Sequence, residues 1–313
     1  MANMFSSLFS NNRSKKMTLI IAITAALLVV ALLALAIVAI VNKTRAPEEE
    51  EPAPNPNGIP TGFVTTTFAE GQLYRGNLIA VNDTYAFNAE ANAAVETVTI
   101  QNGRAKIEGA NLYSTNATQT LVQKEALDAM NAMLLAFYEA SSDDNVWVNI
   151  GSSGAATGIF AAGNTFELRY TTGVSGAEKP AITESATYDW IFTNAYKYGF
   201  VQLYEAPSAE TTTGENETAT ASQEHIFRYI GTVHAQLMKD KKIATFDAYL
   251  TFLRANTSAS KPISVTVDKK AYKIYYLAQD AQQIIPEKYK DACVVSGDNM
   301  SGYIVTFCTT VTK

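Results

Sequence analysis

Histidine and cysteine are scarce: the 313 residues include two of each, His225 and His234, Cys293 and Cys308. No CxxC pair is present, which excludes a zinc ribbon and a thiol-redox motif. There is no GxSxG elbow, no phosphate-binding P-loop and no GxGxxG turn, so the chain carries no signature of the enzymes built on them. Ser152 and Ser153 sit in a Gly/Ser stretch without a recognisable base, the usual setting of turn residues. Acidic residues are missing from positions 1–46, which hold Arg13, Lys15, Lys16, Lys43 and Arg45 and sum to +5. The whole chain carries −6, so residues 47–313 sum to −11. Such an acidic body offers no basic face for phosphates, which excludes nucleic acid as a partner. Apolar residues make up 47% and charged residues 17%, enough apolar mass for a packed core. The length suits one large domain with an appendage, or two small domains.

Charge, proline and glycine are all missing from Met17 to Val41. A helix over this stretch rises ~37 Å, enough to cross a ~30 Å hydrocarbon layer with some tilt. Buried core helices seldom run so long with every face apolar. The apolar region of a cleaved signal peptide is shorter, roughly 7–15 residues. The expectation is one uncleaved transmembrane helix, 17–41, inserted in the lipid bilayer of the cell membrane. Arg13, Lys15 and Lys16 place the short tail, 1–16, in the cytoplasm and the rest outside it. Residues 42–62 read as a Pro/Glu-rich stalk, because PEEEEPAPNPNGIP favours extended, self-repelling backbone.

Within the exported part, residues 73–87 read as a strand entering a turn. Val95–Ile107 reads as a hairpin turning at Asn102-Gly103. A helix is predicted over 120–139, with Thr120 and Gln123 as a capping box and an apolar stripe near the 3.6 period. Strands follow at Val146–Ile150 and within Phe160–Tyr170, then a helix at Glu184–Tyr198 stopped by Gly199, then a strand at Phe200–Tyr204. Residues 205–222 are polar and of low complexity, a surface loop. Ile226–Ile230 reads as a strand, and Val233–Lys241 and Thr245–Arg254 as helices. Beyond Asn256 every segment alternates as β, which marks 257–313 as a small C-terminal β subdomain. Cys293 and Cys308 stand equidistant from the midpoint of its last hairpin. That spacing leaves open a cross-strand disulfide or two free thiols.

Four segments, in this order, resemble the VanY-like metallo-D,D-carboxypeptidases. Gly76-Asn77-Leu78-Ile79-Ala80-Val81-Asn82 is similar to G-N-L-x-L-V-N. Trp190-Ile191-Phe192-Thr193-Asn194-Ala195 with Tyr198-Gly199-Phe200-Val201 resembles W-L-x-x-N-A-x-x-Y-G-F-I. Phe227-Arg228-Tyr229-Ile230-Gly231 with His234-Ala235 resembles F-R-Y-V-G-x-x-H-A. Ser296-Gly297-Asp298-Asn299 with Gly302-Tyr303-Ile304-Val305-Thr306 is similar to S-G-D-N-x-x-G-F-I-V-T. The resemblance spans roughly residues 73–313. It implies an α+β fold of the hedgehog/D,D-peptidase type over 63–256, followed by the β subdomain. It also implies a zinc ion held by two histidines and an aspartate, with a glutamate that activates water to release D-alanine from cell-wall peptides.

The chain departs from that chemistry where it counts. Against S-x-H-x-x-G-x-A-x-D stand Gly158 to Glu167, which put Phe160 in the histidine's place and Glu167 in the aspartate's. Against E-P-W-H-F-R-Y stand Gln223 to Tyr229, which put Gln223 in the base position and Ile226 in the last ligand position. A benzyl ring and a branched alkyl group have no lone pair for zinc, and an amide cannot shuttle a proton near neutral pH. Glu224 and His225 are the fallback base and ligand, one position out of register; a bulge would correct His225. The substrate loop S-G-Y-R-S appears as Gly151-Ser152-Ser153-Gly154-Ala155, without its arginine. Ser152, Ser153, Arg228 and Tyr229 are the groove candidates.

The expectation is a non-catalytic, membrane-anchored D,D-carboxypeptidase-like protein with a binding or scaffolding role at the envelope and no cofactor. Its expected partners are a peptidoglycan peptide or an envelope protein. The alternative is an active metallo-carboxypeptidase with a rearranged site, which alone would require zinc. A plain protein-interaction module is the third reading.

Overall fold

The strands form where β-branched and aromatic residues alternate, and the helices where apolar residues recur every three or four positions. The computed structural model describes residues 58–151, 158–204 and 225–310, which fall in one compact unit, Ala53–Lys313. The tail 1–16, the apolar stretch 17–41 and stalk residues 42–57 lie outside the described residues. Among the described residues no helix is long and apolar enough to cross a membrane. The folded body starts inside the predicted stalk, since Ile59 is already buried against Tyr275 and Phe307 in an apolar cluster.

In chain order, β1 (Phe63–Thr65) and β2 (Thr97–Thr99) precede a single helical turn, α1 (Ile100–Gly103). Three short strands follow: β3 (Lys106–Ile107), β4 (Ala110–Asn111) and β5 (Leu121–Gln123). The long helix α2 (Lys124–Ser141) leads to β6 (Val146–Asn149) and β7 (Thr165–Tyr170). Then come α3 (Asp189–Asn194), β8 (Phe200–Gln202), β9 (Ile226–Tyr229), α4 (Thr232–Lys241) and α5 (Phe246–Asn256). The C-terminal strands are β10 (Ile263–Val267), β11 (Lys270–Ala278), β12 (Ile284–Pro286), β13 (Cys293–Gly297) and β14 (Gly302–Cys308).

Two antiparallel four-stranded sheets organise the body, one in the order β6-β7-β9-β8, the other β10-β11-β14-β13. Strand alternation gives each sheet two distinct faces. On the first sheet, Val148, Phe166, Leu168 and Phe227 pack against Met130, Met133 and Phe137 of α2, which share one side of that helix. On the second sheet, Ile274, Tyr276 and Ile304 pack against α4 and α5, while Tyr275, Leu277, Val305 and Phe307 fill a further cluster on the opposite face. The helices end as the sequence allows. Thr245 accepts from the Ala248 N–H to cap α5, and Gly199 takes the left-handed conformation at φ 84° before β8.

Several expectations are corrected by partners distant in sequence. Val95–Ile107 is not a hairpin. β2 pairs with β5, and Asn102-Gly103 sits in the helical turn α1. Gly103 is there for space, because a Cβ would come within 2.5 Å of the Leu127 side chain. Residues 73–87 form no strand. The Leu78 N–H is taken by the Ser296 hydroxyl and the Ala80 N–H by the Asp298 carbonyl. The helix predicted from Thr120 starts at Lys124, because Leu121–Gln123 are drawn into the ladder with β2. Gln123 caps nothing with its side chain and donates to the Ala162 carbonyl at 2.8 Å. Glu184–Tyr198 is broken into short turns around α3.

The disulfide alternative fails on register. β13 and β14 pair Cys293 with Phe307, so Cys308 is one residue out and faces the other side of the sheet. Both thiols are free. Burial raises the Cys293 thiol to about 11, and it donates to the Tyr289 carbonyl at 3.3 Å. Denatured, unreduced protein is therefore expected to titrate two thiols with a thiol reagent; a disulfide would leave none.

Candidate functional site

The register of the first sheet brings the motif residues together. Glu167 on β7 lies directly opposite Ile226 on β9 and Asn149 on β6, and Thr165 lies opposite Arg228. Phe166 and Phe227 point the other way, into the core. Ile226 thus occupies the place beside Glu167 that the resemblance assigns to a zinc-binding histidine.

Glu167 is held by three donors. Asn149 Nδ2 donates to Oε2 at 2.6 Å, and Arg169 Nε donates to Oε1 at 2.6 Å. His225 Nε2 lies 2.9 Å from the same Oε1. Burial works to raise the Glu167 pKa, but the hydrogen bonds from His225, Asn149 and Arg169 outweigh it and hold the carboxyl at about 2. The fallback ligand His225 therefore does reach Glu167. It sits in the turn before β9, where the strand's alternation does not bind it. Its Nδ1 is buried without a hydrogen-bond partner among the described residues.

A catalytic zinc takes about three protein ligands and keeps a position open for water. Among the described residues no three His, Cys, Asp or Glu side chains stand close enough together to hold a metal ion. Phe160 lies in a short 3-10 turn, Gly158–Phe160, and packs on the apolar core beneath the first sheet. The Glu167 oxygens are already engaged, one of them by a guanidinium. The described residues do not fit a catalytic zinc. Gln223, Glu224, Ser152 and Ser153 lie outside the described residues.

The other groove candidates have different surroundings. Arg228 is wholly buried. Its Nη2 donates to the Ile79 carbonyl at 2.6 Å, and its guanidinium lies 4.8 Å from the Phe246 ring centre. Burial lowers its pKa to about 10, still charged at neutral pH. Arg228 is thus a strut between β9, the G-N-L-I-A-V-N segment and α5. Tyr229 donates to Glu125 Oε1 at 2.7 Å. Both line a cavity of about 450 Å³ with Asn77, Gln123 and Thr232. Glu125 carried no motif; an acid in the first turn of a helix was its only signal.

The four motif segments prove to be one another's supports. Asp298 Oδ1 accepts from the N–H groups of Met300, Ser301 and Gly302 at 2.8, 2.7 and 3.0 Å. The loop so formed presents Asn299, whose Nδ2 donates to the Ala80 and Ala86 carbonyls. A Cβ on Gly76 would lie 2.3 Å from the Ser296 hydroxyl oxygen, so the first motif fits only against the last. A Cβ on Gly199 would lie 2.7 Å from the Tyr229 ring, which ties the second motif to the third.

No family model matches the chain. A D-alanyl-D-alanine carboxypeptidase of Enterococcus faecium is 26% identical over 251 residues, 77% of this chain and 78% of the relative. The solved vancomycin-resistance D,D-dipeptidase VanXYg, in complex with a D-Ala-D-Ala phosphinate analogue, superposes with a TM-score of 0.55 at 17% identity. That superposition covers 79% of this chain and 99% of the other, and at such identity it speaks for the fold alone. The four motifs interlock, and along three quarters of its length the chain is similar to a D-alanyl-D-alanine carboxypeptidase, with a fold like that of the D,D-dipeptidase.

Proposed function

We propose that this chain is a non-catalytic relative of the D,D-carboxypeptidases, anchored in the cell membrane by residues 17–41, that binds peptidoglycan peptides outside the cytoplasm. The observation that carries the reading is Ile226, an alkyl side chain directly opposite Glu167 where a second metal-binding imidazole would have to stand. Phe160 in the other histidine position and Gln223 in the base position agree with it. The interlocked motifs argue that the scaffold is kept while the chemistry is gone. The choice of partner rests on the relative, a D-alanyl-D-alanine carboxypeptidase.

The test uses the full chain in nanodiscs. Incubated with a peptide ending in D-Ala-D-Ala, it is expected to release no D-alanine above buffer, with or without added zinc. It is also expected to sediment with isolated peptidoglycan. Zinc-dependent release of D-alanine would instead establish the rearranged metallo-carboxypeptidase, a reading favoured by the contact of His225 with Glu167. Absence from the peptidoglycan pellet would leave a protein-interaction module.

A further inference from the structure

We infer that Arg169 is the resident counter-cation of Glu167, a guanidinium that occupies the carboxylate in place of a divalent metal ion. The inference rests on the non-catalytic reading and supplies its physical basis. A carboxylate deep in a sheet needs a positive partner or a set of donors to stay ionised. Glu167 has both, and its side chain is only 12% exposed. The period of two along β7 puts Arg169 on the same face as Glu167, and the β6–β7 register puts Asn149 opposite it. Arg169 is itself fixed. Its Nη1 donates to the Lys179 carbonyl at 2.7 Å, so the guanidinium spans from the carboxylate to the neighbouring loop. A second positive group, the Lys179 ammonium, lies 4.2 Å from the ring centre of Trp147, the residue opposite Arg169 on β6.

A metal ion on Oε1 would have to break the bond to Arg169 and then sit beside its positive charge. A charged donor on that oxygen therefore excludes a divalent ion twice, by occupancy and by repulsion. With Arg169 removed, the same residues read differently. Glu167 Oε1 and His225 Nε2, now 2.9 Å apart, become two free ligands on one face. Two ligands are too few for a catalytic centre but enough for weak zinc binding.

The experiment measures thermal unfolding of the full chain in detergent, with excess zinc and with chelator, alongside elemental analysis after dialysis. The wild-type chain is expected to retain no zinc and to show the same midpoint in both conditions. Arg169→Ala is expected to melt several degrees lower and to regain part of that loss with zinc, through ligand-linked stabilisation. Arg169→Lys, which keeps the charge, is expected to stay indifferent to zinc. Should the alanine variant not fold, Arg169→Gln, which keeps a donor without the charge, is expected to show the zinc response. Stoichiometric zinc in the wild-type chain overturns the assignment. So does an uncharged Arg169 variant that zinc does not stabilise, and that result would leave the non-catalytic reading standing, since the latter is judged by D-alanine release alone.

Discussion

Gly297→Ala is expected to cost about 3 kcal/mol or more of folding stability, at the upper end of what overpacking a core does. An added Cβ would stand 1.9 Å from the Leu73 carbonyl oxygen, 2.2 Å from its carbon and 2.5 Å from the Gln72 carbonyl oxygen. These are backbone atoms, and they cannot turn aside as a side-chain tip can. The same glycine donates its N–H to the Arg75 carbonyl at 2.7 Å, so the strand cannot back away without losing that bond. The contact joins the two ends of the body, because it presses the last hairpin onto the segment that opens the first motif. Gly109→Ala is the control. Its Cβ would meet open space, and its φ of 87° leaves only the roughly 1–2 kcal/mol cost of left-handed backbone. Urea unfolding of both variants separates the cases. Equal losses would mean that backbone conformation, not the clash, sets the cost.

Acidification is expected to remove a comparable amount through one buried imidazole. His234 joins α4 to its neighbours: Nδ1 lies 2.6 Å from the Tyr249 hydroxyl on α5, and Nε2 lies 3.0 Å from the Thr306 hydroxyl on β14. Burial lowers its pKa to about 3, against 6.5 for the unperturbed group. Below pH 6.5 the unfolded chain therefore binds a proton that the folded chain refuses. Its contribution to stability is fully present above pH 6.5 and declines as the pH falls towards 3, by roughly 4–5 kcal/mol over the whole interval. Glu167 acts in the same direction but lower on the scale. Its carboxyl is held at about 2 against 4.5, so its contribution is lost only below pH 4.5. Unfolding free energies between pH 7.5 and 5 thus report His234. A slope that flattens in His234→Gln is the expected result. An equally steep slope in that variant would assign the acid sensitivity elsewhere.

How far the site could be read from sequence depended on the range of the interaction. Glu167 and Ile226 were legible because both lie in motifs whose spacing on a strand fixes their face. His225 was placed only as a fallback, since strand alternation argues against it. In the folded chain it sits just before the strand begins, where a turn sets its direction instead. Asn149 and Arg169 carried no motif at all, although they bind Glu167 more closely than His225 does. Arg169 stands two residues along the same strand, and only the pairing with β6 shows that Asn149 takes the other oxygen of that carboxylate. Arg228, matched to a motif and counted towards a groove, is sealed in the interior by Ile79 and Phe246.

The sequence by itself determined most of the strands and helices after Lys124, the resemblance to D,D-carboxypeptidases, and the lack of an imidazole at Phe160 and Ile226 and of a carboxylate at Gln223. These follow from side-chain periodicity and from which atoms a residue possesses. Tertiary structure decided where residues 73–111 find their hydrogen-bond partners, which face each cysteine takes, and what neutralises Glu167. These depend on register between segments that range from neighbouring strands, Cys293 opposite Phe307, to positions more than 200 residues apart. A register shift of one residue reverses the outcome, yet alters nothing in the local pattern that sequence reading uses.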